Sequence, residues 1–168
     1  IAHDIVRALN DRDDSPLAGE IKLLGVGTGR VAQAPLAQEL KKLFAADAFG
    51  SKNKAEFYDD MKKFFVNYFK QIALVFGGAW NGRKYSIKSA TALRAFIRVA
   101  PDVVRRIDQE HAERGDFRAI GRVIAPWGRR IGDLRFETEG QWKRSGTTVE
   151  SLAKELKLAL QYPEGAAM

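Results

Sequence analysis

Arginine, lysine and tryptophan recur side by side in the second half of this sequence, and the chemistry they suit is the gripping of phosphate. In FGGAWNGRKYSIKS, residues 76–89, Arg83, Lys84 and Lys88 surround Tyr85 just after Trp80. Arg94 and Arg98 follow, four apart, and share one face of any helix that carries them. Arg105 and Arg106 come next. PWGRR sets Arg129 and Arg130 beside Trp127, and QWKR sets Lys143 and Arg144 beside Trp142. Guanidinium forks match phosphate oxygens and aromatic faces stack on bases, so cations beside exposed rings suit nucleic acid. The competing reading buries the rings and leaves the cations as solvated neighbours. Trp80 is expected to be buried. For Trp127 and Trp142 the polar flanks leave both readings open.

Other chemistry has thin support. His3 and His111 are the two histidines, and both read as surface residues. Asp59 and Asp60 are adjacent on a helical pattern, so their side chains diverge by roughly 100° and make no carboxylate pair. GVGTGR, residues 25–30, has glycine amides that suit phosphate, but neither a Gly-Lys-Ser/Thr ending nor the dinucleotide spacing. It reads as a flexible turn. The DRDD run, Asp11–Asp14, could hold a cation, although a solvated turn is the simpler expectation. No nucleophile–base arrangement or metal-ligand spacing is visible. The sequence predicts no catalytic residue, cofactor or metal.

These residues need a frame. The chain has 168 residues and is 45% hydrophobic, enough for one domain with a sizeable core. It carries a net charge of +7, unevenly spread. Residues 1–79 hold 11 Lys+Arg against 10 Asp+Glu, residues 80–168 hold 17 against 11, and all three tryptophans fall in the second part. That basic half is the electrostatic footprint of a polyanion partner. The lack of cysteine excludes disulfides and thiolate catalysis and fits a reducing cytoplasm. No apolar run approaches the roughly 20 residues that span a bilayer, so no membrane partner is expected. No signal peptide is visible, and the helix-like pattern begins at once at Ile1 without a methionine, as expected for a piece of a longer protein or for a chain from which something upstream was removed.

The elements follow from periodicity. Ile5, Val6 and Leu9 predict a first helix, Ser15-Pro16 a turn, and IKLLGVG a short strand. Residues 34–46 predict a helix with Leu36, Leu40, Leu43 and Phe44 inward, and DAFGSKNK a polar, mobile tip. Residues 55–76 predict a long helix whose face of Phe57, Met61, Phe64, Phe65, Tyr68, Phe69, Ile72, Val75 and Phe76 must be buried. KYSIK suits a short strand. Ser89 caps a helix over 90–99, and Pro101 starts another over 102–114 that Gly115 ends. Residues 117–146 read as two short strands or as broken helix. Thr147 and Glu150 form a capping box for a final helix. The whole is a mainly α-helical domain with a few short strands: a helical scaffold over 1–79 and a basic helical region over 80–168, packed together as one domain.

Two blocks carry a family likeness. IAHDIVRALNDRDDSPLAGEIKLLG, with Ala2, Asn10, the Ser15-Pro16-Leu17 turn and Ile21, resembles the stretch that follows the name-giving motif of DGQHR-domain proteins. FFVNYFKQIALVFGGAW and KYSIKSATAL, with Asn67, Tyr68, Phe69, Ile72, Trp80, Tyr85 and Lys88, are similar to the family's next block. The likeness covers roughly the first 100 residues. It implies the C-terminal part of a larger α+β protein of the DndB-like kind, associated with DNA modification and phage defence. The DGQHR tract itself is absent, so an activity that depends on it cannot be assigned to these residues. The expectation is a non-catalytic module that binds duplex DNA, alongside other proteins of a modification or defence system. Its contacts would be Arg83, Lys84, Lys88, Arg94, Arg98, Trp127, Arg129, Arg130, Trp142, Lys143 and Arg144. The alternatives are the helical lobe of a nucleotide-dependent DNA-processing enzyme with its active site upstream, and a domain whose basic face docks an acidic protein.

Overall fold

The computed structural model describes residues 1–23, 29–50, 54–138 and 147–161, with the backbone alone for 54–56. The chain is mainly helical. In order, the helices are α1 (Ala2–Asp11), α2 (Gln33–Ala45), α3 (Lys54–Val75), α4 (Gly77–Asn81), α5 (Ala90–Gln109), α6 (Phe117–Ile124), α7 (Pro126–Arg130) and α8 (Val149–Leu160), with a 3-10 turn at Asp133–Phe136 before α8. Strands β1 (Ile21–Lys22) and β2 (Val31–Ala32) pair in parallel, Ile21 opposite Val31.

Two apolar stripes set the architecture. Met61, Phe64, Phe65, Tyr68, Phe69 and Ile72 of α3 are fully buried, as are Leu93, Phe96, Ile97, Ala100, Val103 and Ile107 of α5. α3 and α5 form the centre. α2 packs on α5, and α1 covers α2 and α3. α6 lies along α3 and also touches α5, while α8 packs on α5 and α7. One hydrophobic core therefore draws on both halves of the sequence. Its middle is aromatic: Phe96 stands 5.7 Å from Trp127 and 6.2 Å from Phe136, and Phe76 stands 5.2 Å from Phe136.

Local chemistry places the connections. The Ser15 hydroxyl donates to the Leu9 carbonyl at 2.5 Å and accepts from the Leu17 amide at 3.2 Å, closing the predicted turn over buried Leu17. The Asn10 side chain then accepts from the Ile21 amide at 3.0 Å and starts β1. Its partner β2 has no visible pattern, because two residues carry no periodicity. Gly29 is needed for close approach: a Cβ there would stand 2.5 Å from the Lys22 nitrogen. The rest of the predicted GVGTGR turn, and the tip at 51–53, lie outside the described residues.

Three expectations change. First, α5 runs unbroken through Pro101. Proline in a helix interior costs about 3 kcal/mol, whereas each large apolar side chain buried beside it contributes roughly 1.5–3 kcal/mol. With Phe96, Ile97, Val103, Val104 and Ile107 all inside, packing wins. The Tyr68 hydroxyl also donates to the Phe96 carbonyl at 2.6 Å, next to the Ile97 carbonyl whose usual donor Pro101 lacks. α5 ends at Gln109, not near Gly115, and His111 turns the chain at φ 59°. Second, the two readings left open for residues 117–146 narrow, over 117–136, to the broken helix: α6, α7 and the 3-10 turn, with breaks between them. Asp116 caps α6 by accepting from the Ala119 amide at 3.0 Å. Gly121 lies inside α6 because a Cβ there would meet the Gln71 side chain of α3 at 2.7 Å. Third, the capping box of α8 is Thr148 with Ser151, one residue later than expected. Thr147 instead accepts from Arg135 at 2.9 Å. KYSIK contributes a single antiparallel bridge, Tyr85 to Glu137.

Candidate polyanion-binding surface

The fold separates the predicted contact residues into groups with different surroundings. Arg94 and Arg98 lie one turn apart on α5 and face Glu39 of α2. Glu39 is 2% exposed. Arg94 donates to it from Nε and Nη2 at 3.1 and 2.9 Å, and Arg98 from Nη2 and Nε at 2.7 and 3.3 Å. Burial pushes the Glu39 carboxyl up, but the hydrogen bonds from Arg98 and Arg94 outweigh it and hold the group below its ordinary value. Both guanidiniums already grip a carboxylate. Their role is to tie α2 to α5, which corrects their assignment as phosphate contacts.

Trp127 is corrected too. It is fully buried between Tyr68 and Phe96, and its Nε1 donates to the Leu156 carbonyl at 2.9 Å, so it cannot stack on a base. Trp80 is 4% exposed, as expected, and Lys88 stands with Nζ 5.3 Å from its ring centre and 3.7 Å from Glu20. Lys88 therefore has partners already. Trp142, Lys143 and Arg144 lie outside the described residues.

The remaining predicted cations sit on elements linked through the 3-10 turn. Arg83 and Lys84 are exposed in the loop after α4, which the Thr138 amide holds by donating to the Lys84 carbonyl at 3.0 Å. α4 packs on the 3-10 turn, and the 3-10 turn follows α7, where Arg129 is exposed and Arg130 half-buried. The same junction is pinned from inside by Arg135. It is 6% exposed and donates to Glu155 of α8 at 3.0 and 2.8 Å.

A second basic feature was not foreseen. Along the last turns of α5, flanked by α6 and α8, runs a groove made of two adjoining cavities of about 220 and 150 Å³. Arg106, Gln109 and Leu160 line both. Arg105 and Lys157 stand on one side and share Asp102, at 3.0 and 3.9 Å. Arg122 stands on the other side, 3.4 Å from Glu110. Arg106 has no carboxylate within ion-pair distance among the described residues. Four cations thus face two carboxylates. Arg105, Lys157 and Arg122 are 64, 62 and 60% exposed, so each pair is worth roughly 0–1 kcal/mol and an incoming phosphate can compete for the cations. Sequence reasoning found Arg105 and Arg106 but not Arg122 or Lys157, because the groove joins three helices that no local pattern links.

The DRDD turn holds its own counter-charges. Arg12 and Lys70 donate to Asp14 at 3.0 and 2.8 Å, and those hydrogen bonds lower its carboxyl to about 2. Among the described residues no three His, Cys, Asp or Glu gather as metal ligands, and no helix is long and apolar enough to cross a membrane. Comparisons with protein-family models, with curated proteins and with solved structures find no match to this chain.

Proposed function

We propose that the chain is a helical, non-catalytic DNA-binding module whose main phosphate contacts line the α5–α6–α8 groove. The observation that carries this reading is Arg106, with no ion-pair partner among the described residues, between Arg105, Lys157 and Arg122 in a groove formed by three helices. Arg83, Lys84, Arg129 and Arg130 extend the positive surface at the 3-10 end. The surplus of cations over carboxylates in residues 80–168 supports the reading. So does the resemblance to DGQHR-domain proteins, which points to DNA modification or defence, and the lack of cysteine fits a reducing cytoplasm. The residues behind that resemblance bear on the fold more than on a ligand: Tyr68, Phe69, Ile72 and Trp80 are buried, and Asn67 donates to the Gly115 carbonyl at 2.7 Å. The test is duplex binding by fluorescence anisotropy across salt. The logarithm of affinity should fall linearly with the logarithm of salt, by about 0.9 for each phosphate neutralised. Salt-independent binding sinks the reading.

A second reading, a domain that docks an acidic protein, is favoured by Leu134. It stands 69% exposed on the 3-10 turn, beside the cations of that end. Replacing Leu134 with Ser should then weaken the partner and leave DNA affinity unchanged.

A further inference from the structure

An aromatic pocket lies where the end of α2 and the segment after it meet the start of α3. It measures about 180 Å³ and is lined by Phe44, Phe49, Phe57, Tyr58 and Asp47, with Ile1 at its edge. That is less than the roughly 300–1,000 Å³ taken by drug-sized ligands, so a small head group fits it. The rings meet at steep angles, as walls. Phe44 and Phe57 are 5.7 Å apart at 83°, Phe57 and Tyr58 5.8 Å at 56°, and Phe44 and Phe49 5.6 Å at 42°. Tyr58 is 39% exposed and stands open to solvent at the rim.

The acidic residue is the second, independent observation. Asp47 follows α2 with φ 51°, where its amide donates to the Phe44 carbonyl at 3.1 Å and the Ala48 amide to the Leu43 carbonyl at 2.9 Å. This is the helix-ending motif whose left-handed position glycine fills by default. An aspartate there accepts backbone strain that a glycine avoids. Its carboxylate is exposed and has no ion-pair partner among the described residues. The strain therefore brings a negative charge to the mouth of an aromatic cage.

We propose that this pocket binds a methylated ammonium group, held by the rings of Phe44, Phe57 and Tyr58 and by the carboxylate of Asp47. Ring quadrupoles attract a cation within about 6 Å of their centres, and methyl groups make it easy to desolvate. The group could belong to a methylated lysine on another protein or to a free choline-like molecule, and the chemistry of recognition is the same.

Choline is titrated into the whole chain, with the choline methyl and Tyr58 ring protons followed by NMR. The methyl signals should move upfield, saturating at roughly millimolar choline. The uncharged isostere 3,3-dimethylbutanol should bind several-fold more weakly. Asp47→Gly should keep or raise the melting temperature, since glycine suits the backbone, yet bind choline several-fold more weakly. Tyr58→Ala should lose most of the upfield shift. A peptide bearing trimethyl-lysine is titrated alongside: tighter binding than choline assigns the site to protein tails, and equal binding assigns it to the small molecule. The proposal is overturned by no saturable shift in the folded chain, by equal binding of dimethylbutanol, or by undiminished choline affinity in Asp47→Gly.

Discussion

Arg94 and Arg98 stand in the first half of α5, Arg105 and Arg106 in the second, and the two pairs live in different electrostatic surroundings. The first pair closes on Glu39, a carboxylate with 2% exposure. The second faces a solvated groove, where Asp102 pairs with Arg105 and Lys157 and Glu110 with Arg122, while Arg106 has no carboxylate partner among the described residues. Residue type and helix are the same. What differs is whether the neighbouring element buries a carboxylate against them. A buried carboxylate needs its partners to offset desolvation, so it commits them to structure. An exposed one binds weakly and leaves its partners available. Counting arginines therefore overstates a binding surface, and the opposing carboxylates have to be located first.

The largest effect expected from this contrast is at Glu39. Glu39→Gln should destabilise the fold by about 2–3 kcal/mol in chemical denaturation, below the 3–5 kcal/mol of a fully buried pair because both arginines reach solvent. A cost under about 0.5 kcal/mol would erase the distinction between the two pairs. The same contact sets a pH dependence. The folded pKa of Glu39 lies below its unfolded value. Its contribution is thus fully present above the ordinary glutamate range near about 4.3 and is lost as pH falls through the lower folded value. Acid unfolding of the native chain should be steeper over that window than that of Glu39→Gln.

In the groove the signs reverse. Arg106→Gln with Lys157→Gln should change stability by less than about 0.5 kcal/mol, while the salt slope of DNA binding falls by about 1.8, two phosphate contacts' worth. An unchanged slope would move the binding surface elsewhere, with Arg83, Lys84 and Arg129 the next set to replace. The loop after α4 should likewise show little change in stability. Replacing Arg83, Lys84 and Lys88 together with glutamine should leave the melting temperature nearly unchanged, apart from the contact of Lys88 with Trp80, worth roughly 0.5–1 kcal/mol.

Much of the fold was legible because burial leaves a period. The stripe from Met61 to Phe76 read as a buried helix and is one. Ser89 read as a cap, and its hydroxyl accepts from the Ala92 amide at 3.2 Å. The misreadings came from residues with two meanings. Pro101 signalled a helix start, and packing carried the helix through it. Gly121 signalled a break but supplies room for Gln71. Of the candidate site, Arg105 and Arg106 were legible from their neighbours in the chain, and Arg122 and Lys157 were not. Glu39 had a visible signal, since it falls on the stripe of Leu36, Leu40 and Leu43, where a carboxylate has to find cations.

The order of residues by itself determined the mainly helical class, the aromatic face of α3 and the positive surplus of the second half. Those properties depend on neighbours within a few positions, or on composition, and both survive without a fold. Which cations are spent and which stay available was decided only by tertiary structure. Glu39 meets Arg94 and Arg98 across 55 and 59 positions, and Arg135 meets Glu155 across 20. Electrostatic pairing depends on distance in space and on access to water, and neither exists until the helices have packed.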